Sequence, residues 1–265
     1  MPFMRTLFAI AGLVGSALFA PQTPNQDLRR HFEGIQGTFV LLDGQTGEFI
    51  RHNAARADER FAPCSTFKIP NTAILLETGV APDAEFVIPY DPNLNERISD
   101  WARDHSLRSA YKSSVMWYYR ALAQRAGLPA ITRLVRQFGY GNAETTAGVG
   151  ARPFWVDGTL KVSANEQVAF LRRLYEGRLG VAERTTKLTK EIMIAERTPR
   201  WTLSAKTGSC QPIGSDVSIW YVGYVEKASG VWYFALQMGD TNYDRLFSQR
   251  LTKARDILAD LGVLH

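Results

Sequence analysis

The spacing of apolar residues changes twice along this chain, and the changes separate strand-like ends from a helical middle. Thr38-Phe39-Val40-Leu41-Leu42 and Glu48-Phe49-Ile50-Arg51 flank the glycine-rich stretch Asp43-Gly44-Gln45-Thr46-Gly47, which predicts a hairpin over residues 37–53. Residues 21–33 are polar and predict an irregular lead-in followed by a short helix. A helix is predicted to begin at Cys64 and Ser65, after Pro63, and to run to Glu77 before stopping near Gly79. From Glu96 to Leu179 the period is helical: Leu122, Ala123, Ala126 and Leu128 form one stripe, and Ile131, Leu134, Val135 and Phe138 another. Val168 to Tyr175 is a further segment, opened by Ser163-Ala164-Asn165-Glu166 at capping-box spacing. Core packing accounts for these stripes. After Arg200 the period returns to that of strands, over Trp201–Lys206, Val217–Val225 and Val231–Met238. Pro212, Gly214 and Ser215 mark the first connection, and residues 227–230 form a short hairpin turn. Leu246 to Leu261 closes the chain as an amphipathic helix. Strands at both ends of a helical middle argue for one interwoven α/β unit, of the α+β type, and not for two beads on a linker.

The N-terminus reads as an address. Arg5 is followed by Thr6 to Ala20, almost wholly apolar and about 15 residues long, short of the ~20 that span a bilayer comfortably. Residues 1–20 are therefore expected to be a secretory signal peptide, with an uncleaved anchor as the alternative. Ala20 has Leu18 at the third position back and Pro21 after it, so Ala17 is a rival cleavage point. Residues 21–265 then form a single catalytic domain in the periplasm, without stable membrane association, where two cysteines have reason to pair. At 45% hydrophobic and 22% charged, the composition supports an ample core. The net charge of +5 raises the question of nucleic acid, but the cations stand singly among acids, so a mildly basic surface is the better reading.

The chemistry sits in two motifs. Ser65-Thr66-Phe67-Lys68 puts a hydroxyl and an amine one helical turn apart, where the amine can take the serine proton and create a nucleophile. Lys206-Thr207-Gly208 supplies a cation and a hydroxyl for an anionic substrate, with a glycine where the backbone must be approached. Either alone reads equally well as a capped helix with a solvated lysine. The four histidines lie in no motif and lack metal-ligand spacing, so no metal is expected. An unperturbed lysine titrates near about 10.4, so Lys68 works as a base only if its surroundings desolvate it.

With Ser113-Ser114-Val115, Tyr140-Gly141-Asn142, Phe154-Trp155-Val156-Asp157-Gly158 and Trp220-Tyr221-Val222-Gly223, these motifs resemble the class D, oxacillinase-type serine β-lactamases across the mature chain. The resemblance implies the serine β-lactamase and penicillin-binding-protein fold, a mostly antiparallel sheet flanked by helices with an all-helical subdomain. It implies Ser65 as nucleophile and the backbone N–H groups of Ser65 and Ser209 as oxyanion hole. Lys68 becomes the general base, carboxylated by CO₂ in a pocket of Phe67, Val115, Trp155 and Val156, with no other cofactor. Ser113 relays a proton to the leaving nitrogen, with Ser114 as the neighbour one step out of register, and Lys206 adds positive potential. Thr207, Gly208 and Arg250 bind the substrate, with Arg245 a rival for the arginine, and Tyr140-Gly141-Asn142 walls the pocket. The implied partners are small β-lactams, for a monomer or homodimer. A penicillin-binding transpeptidase and a β-lactam-sensing receptor domain share these motifs and remain alternatives.

Cys64 directly precedes the nucleophile and Cys210 lies two residues past Gly208. This placement resembles the disulfide of carbapenem-hydrolysing class A enzymes more than a class D hallmark. It suggests a crosslink that fixes the pocket wall and widens the substrate range, possible carbapenems included; two free buried cysteines are the alternative.

Overall fold

The computed structural model describes residues 28–212, 214, 216–239 and 242–265. Residues 1–20, expected to be a signal peptide, and residues 21–27 lie outside the described residues. A single 3-10 turn, Leu28–Phe32, precedes the hairpin of β1 (Gln36–Asp43) and β2 (Phe49–His52). The Asp43 carboxylate closes its turn by accepting from the backbone N–H groups of Gln45 and Thr46 at 2.7 and 3.1 Å. Then come α1 (Ala54–Asp58), a 3-10 turn (Cys64–Phe67) and α2 (Lys68–Glu77). The middle contains β3 (Val87–Ile88), β4 (His105–Ser106), α3 (Leu107–Lys112), α4 (Met116–Ala126) and α5 (Leu128–Gln137). It continues through α6 (Phe154–Asp157), α7 (Ala164–Tyr175) and α8 (Glu183–Ile192). The C-terminal part is β5 (Ile194–Arg197), β6 (Thr202–Cys210), β7 (Ser218–Lys227), β8 (Gly230–Gly239) and α9 (Tyr243–Asp260).

The first hairpin and the last four strands form one antiparallel six-stranded sheet in the order β2-β1-β8-β7-β6-β5. Both of its faces are covered. Val40, Leu42, Trp220, Val222 and Tyr224 point into a core shared with the helical middle. Their strand neighbours Phe39, Leu41, Ile219, Tyr221 and Val225 point into a second core beneath Leu246, Ile257 and Leu258 of α9 and Leu28 and Phe32 of the first turn. Successive side chains alternate faces, so burial on both sides explains the nearly continuous apolar runs of β1 and β7.

Three local expectations need correction. The helix does not start at Ser65: Cys64 has φ 50°, in the left-handed region, and the chain makes a 3-10 turn before α2 begins at Lys68. Residues 96–179 are not uniformly helical, since β4 and the connection between Phe138 and Pro153 interrupt them. Leu128 leaves the first stripe: Gly127 (φ 80°) ends α4, and Leu128 opens α5 half-exposed, while Ile131, Leu134 and Val135 are buried. The strand β5 is an addition; four residues with alternating half-buried positions carry too little periodicity to be read.

The expected capping box is present. Ser163 Oγ accepts from Glu166 N at 3.1 Å and Ser163 N donates to Glu166 Oε2 at 2.9 Å, while Glu166 also takes both oxygens to Arg60 Nε at 3.0 Å. Ser163→Ala leaves a helix-end donor unpaired, with an expected loss of about 1 kcal/mol. Differential scanning calorimetry should read this as a fall in Tm of about 2–4 °C.

Candidate active site

Three residues per turn place positions i and i+3 of a 3-10 turn over one another, so Lys68 reaches back to Ser65 more directly than in an α-helix. Lys68 Nζ donates to Ser65 Oγ at 3.1 Å; Ser65 is partly exposed and Lys68 only 2% exposed. Strand β6 lies against this turn. A Cβ on Gly208 would sit 2.8 Å from Pro63 O, 2.9 Å from Thr66 Cγ2 and 3.1 Å from Thr66 N, so only glycine permits the approach. From the helical side, Gln167 Nε2 donates to Thr66 Oγ1 at 2.9 Å, and Tyr140 OH donates to Gln167 Oε1 at 3.2 Å. The nucleophile turn is held on both flanks.

An aromatic cluster adjoins the turn at Phe67. Phe67 stacks on Trp155 with centroids 5.2 Å apart and meets Phe154 and Tyr140 edge-on at 5.1 and 5.9 Å. Val115 is fully buried, and Lys68 Nζ lies 5.3 Å from the centre of the Tyr119 ring. Burial first, and the Lys206 ammonium second, push the Lys68 pKa well below 10.5. Lys206 is itself buried, donates to Thr207 O at 3.2 Å and lies 5.6 Å from the Tyr111 ring. Burial and the nearby Arg250 guanidinium bring its pKa down to about 7. Among the described residues no acidic group offsets either shift. Burial also raises the Tyr111 and Tyr119 phenols, which stay neutral, so neither supplies a counter-ion. Two cations so close in an apolar setting resist joint protonation.

The remaining candidates are placed unequally. Thr207 and Ser209 are partly exposed on β6, and Tyr243 OH donates to Ser209 Oγ at 3.0 Å. Arg250 joins Lys206 and Thr207 in a groove of about 730 Å³, with its guanidinium 3.5 Å above the Phe247 ring. Arg250 Nη1 donates to Phe247 O, and its buried Nε has no partner among the described residues. Arg245 instead donates to Gly34 O at 2.9 Å, away from the groove. Val115 caps α4 beside Ser114, whose φ is 60°. Ser113 stands apart: its carbonyl accepts from the Trp101 indole at 2.9 Å, and its hydroxyl helps hold the exposed Asp100 carboxyl below its usual range. No hydrogen bond links Ser113 to Ser65, Lys68 or Lys206 among the described residues. Trp155 is buried, and its indole N–H makes no hydrogen bond to another described residue. Val156 packs on Ala62 and the cysteine pair as well as on the aromatic core. Cys64 and Cys210 form a disulfide, with Cα atoms 5.6 Å apart.

Tyr140, Gly141 and Asn142 lie behind the Ser65 turn, where Tyr140 packs edge-on against Phe67. Tyr140 is buried, a Cβ on Gly141 would meet Lys161 O at 2.1 Å, and Asn142 is tied to Lys161 N and Thr159 O at 3.0 and 2.9 Å. Tyr111, Tyr119 and Tyr243 are neighbours that pattern reading missed, because an aromatic at helical spacing is indistinguishable from core. A larger hollow of about 940 Å³, lined by Arg56, Arg152 and Pro212 among others, contains neither Ser65 nor either lysine; the chemistry belongs at the turn.

Two predictions rest on this geometry. Gly208→Ala must push β6 off the nucleophile turn, and displacements near 1 Å cost about 10²-fold in rate; acylation kinetics on the folded variant should show a loss of that order. Lys68 binds a proton in the unfolded chain, below about 10.5, that the folded chain refuses, so its contribution to stability rises with pH from its folded pKa up to that value. Lys68→Met, in CO₂-free buffer at pH 7, should gain about 1–2 kcal/mol and lose this part of the pH slope, measured by denaturant titration.

Residues 37–259 match the family of the penicillin binding protein transpeptidase domain. The chain is 35% identical to β-lactamase OXA-48 of Klebsiella pneumoniae over 94% of each chain, and 33% identical to β-lactamase OXA-5 of Pseudomonas aeruginosa over 98% of this chain and 99% of that one. Among solved structures, the class D β-lactamase FUS-1 (OXA-85) of Fusobacterium nucleatum superimposes with a TM-score of 0.86 at 30% identity, covering 92% of this chain and all of that one. The class D β-lactamase YbXI from Nostoc does so at 0.84 and 34%, covering 90% and 99%. A serine hydrogen-bonded to a buried lysine, a Lys-Thr-Gly strand pressed against their turn, and relatives of this kind over nearly the whole chain agree: this chain belongs to the class D serine β-lactamases.

Proposed function

We propose that this chain hydrolyses β-lactam antibiotics through an acyl-enzyme on Ser65. The observation that carries the reading is the buried Lys68 Nζ, 3.1 Å from Ser65 Oγ and driven towards its neutral form. An unprotonated amine there accepts the serine proton as Oγ attacks the lactam carbonyl. The oxyanion is received by the backbone N–H groups of Ser65 and Ser209, donors worth about 3–4 kcal/mol each when aimed at the developing charge. The carbon–nitrogen bond of the ring then breaks. Ser113 passes a proton to the leaving nitrogen once its hydroxyl turns from Asp100 into the cleft, under the positive potential of Lys206. Thr207 and Arg250 hold the substrate carboxylate, the guanidinium by paired hydrogen bonds. Hydrolysis of the ester by water completes the cycle.

A CO₂ adduct of Lys68 fits the residues present. Burial drives the amine towards the neutral form that reacts, and the Trp155 indole N–H, which makes no hydrogen bond to another described residue, is a donor for a new anion. Phe67, Val115 and Val156 would enclose it, and the group supplies, when bound, a carboxylate base for both halves of the reaction. The Cys64–Cys210 crosslink, which supports the pocket wall, favours a broad substrate range that extends to carbapenems. We read the protein as exported to the periplasm by residues 1–20 and working there as a monomer or homodimer; no helix among the described residues is long and apolar enough to cross a membrane.

Initial rates on a penicillin, oxacillin, a cephalosporin and imipenem, with and without bicarbonate, test this reading. Steady turnover that bicarbonate raises is the expected result; a single burst of acylation without turnover would point to a sensor or a transpeptidase. Imipenem rates for wild type and Cys64→Ser test the carbapenem extension, which equal rates or no hydrolysis would remove. Lys68→Arg, charged at every working pH, should lower kcat/KM by about 10³-fold. Wild-type acylation should fall as pH drops through the folded pKa of Lys68, because the ammonium has no lone pair to take the serine proton.

A further inference from the structure

We infer that the Cys64–Cys210 disulfide is a positioning element of the oxyanion hole: it sets the separation between the two segments that carry the hole's backbone donors. The inference rests on the acyl-enzyme reading above and extends it to residues that touch no substrate. The two cysteines are the chain neighbours of the two donors, Cys64 immediately before Ser65 and Cys210 immediately after Ser209. The crosslink holds their Cα atoms 5.6 Å apart across 146 residues of sequence. It therefore ties the nucleophile turn to β6 at the two places where a relative slip would open the gap between the donors.

Among the described residues no hydrogen bond joins residues 64–68 directly to β6 across that gap. Ser218 Oγ and Trp220 Nε1 both donate to Ala62 O, at 3.0 and 2.9 Å, which secures the chain before Pro63 to β7. Gly208 limits how closely β6 can approach the turn, but it is a stop and not a tether. Between these anchors Cys64 holds a φ of 50°, a conformation that a side chain larger than hydrogen keeps only when its surroundings enforce it. Cys64 is fully buried and Cys210 is 9% exposed, packed with Ala62 and Val156, so the bond lies inside the protein and away from the open cleft. A buried covalent tie fixes distance with less play than hydrogen bonds, which exchange with water. Its effect is on where the donors point when charge develops on oxygen, and not on how tightly substrate is first held.

The full-length mature enzyme, its Cys64→Ala/Cys210→Ala double variant and a Cys210→Ala single variant are compared with benzylpenicillin in stopped flow and with a phenylboronic acid, whose tetrahedral adduct on a serine occupies an oxyanion hole. Loss of one donor outright costs about 10²–10³-fold, so loosening the pair should slow acylation by about 10–100-fold. The initial binding constant should stay within about twofold, and the boronic acid should weaken in step with the acylation rate. Acylation and boronic acid affinity within twofold of wild type in a folded double variant would overturn the inference, as would losses confined to initial binding. If the double variant does not fold, the wild type reduced under native conditions, with its free thiols counted and its circular dichroism unchanged, is put through the same measurements and judged by the same outcomes. A penicilloyl mass on the Ser65 peptide of the wild type checks the underlying acyl-enzyme separately; its absence would remove that reading, whereas a wild type that acylates beside an unaffected variant removes only the role of the disulfide.

Discussion

The removal of water from the Lys68 ammonium is the constraint on which this site depends. An amine on the surface would hold its proton at any physiological pH, and Ser65 would be an ordinary hydroxyl. Each unit by which burial lowers that pKa represents about 1.4 kcal/mol of preference for the neutral form. Here burial strips water from the amine beside the Tyr119 ring, and Lys206 adds a second positive charge that no carboxylate among the described residues offsets. The same arrangement costs stability, because the folded protein shelters two basic groups that water would solvate better. The size of the two cores on either side of the sheet lets the fold tolerate that cost.

The geometry that exploits this amine is assembled from distant pieces. The nucleophile rides on a turn too short to be rigid alone. It gains rigidity from β6 on one side, where Gly208 allows backbone contact, and from Thr66, Gln167 and Tyr140 on the other. Arg250 arrives from the last helix and is steered by its contact with Phe247. Its charge reaches Lys206, so the guanidinium in the groove also tunes the lysine beside it.

Much of this was legible in the chain. Alternating strands at both ends and helical periods between them predicted an α+β unit, and the sheet unites those ends. Ser65, Lys68, Lys206 and Thr207 stood out as candidates because their spacing is chemical and not merely apolar, and the fold sets Lys68 against Ser65 and near Lys206. What could not be read follows from physics that a local pattern does not carry. The left-handed Cys64 is imposed by its tertiary setting, so the helix start shifts to Lys68. The choice between Arg245 and Arg250 depends on which face of α9 looks at β6: Arg245 donates to Gly34 O, whereas Arg250 lies over Phe247 in the groove with Lys206. Tyr111 and Tyr119 flank the lysines, yet each sits at a spacing that core packing explains equally well. Ser113 matched a motif, but among the described residues no hydrogen bond joins it to Ser65, Lys68 or Lys206, and a rotamer cannot be read from letters.

The ionisation of one nitrogen decides the account. Lysine labelled with ¹³C at Cε, followed by NMR across pH in CO₂-free buffer, reports each amine separately, and a Lys68→Ala spectrum assigns the signal of interest. The account predicts that the Lys68 resonance already has the shift of a neutral amine at mildly alkaline pH and titrates well below 10.5. A Lys68 signal that titrates with the surface lysines, close to 10.5, would contradict it.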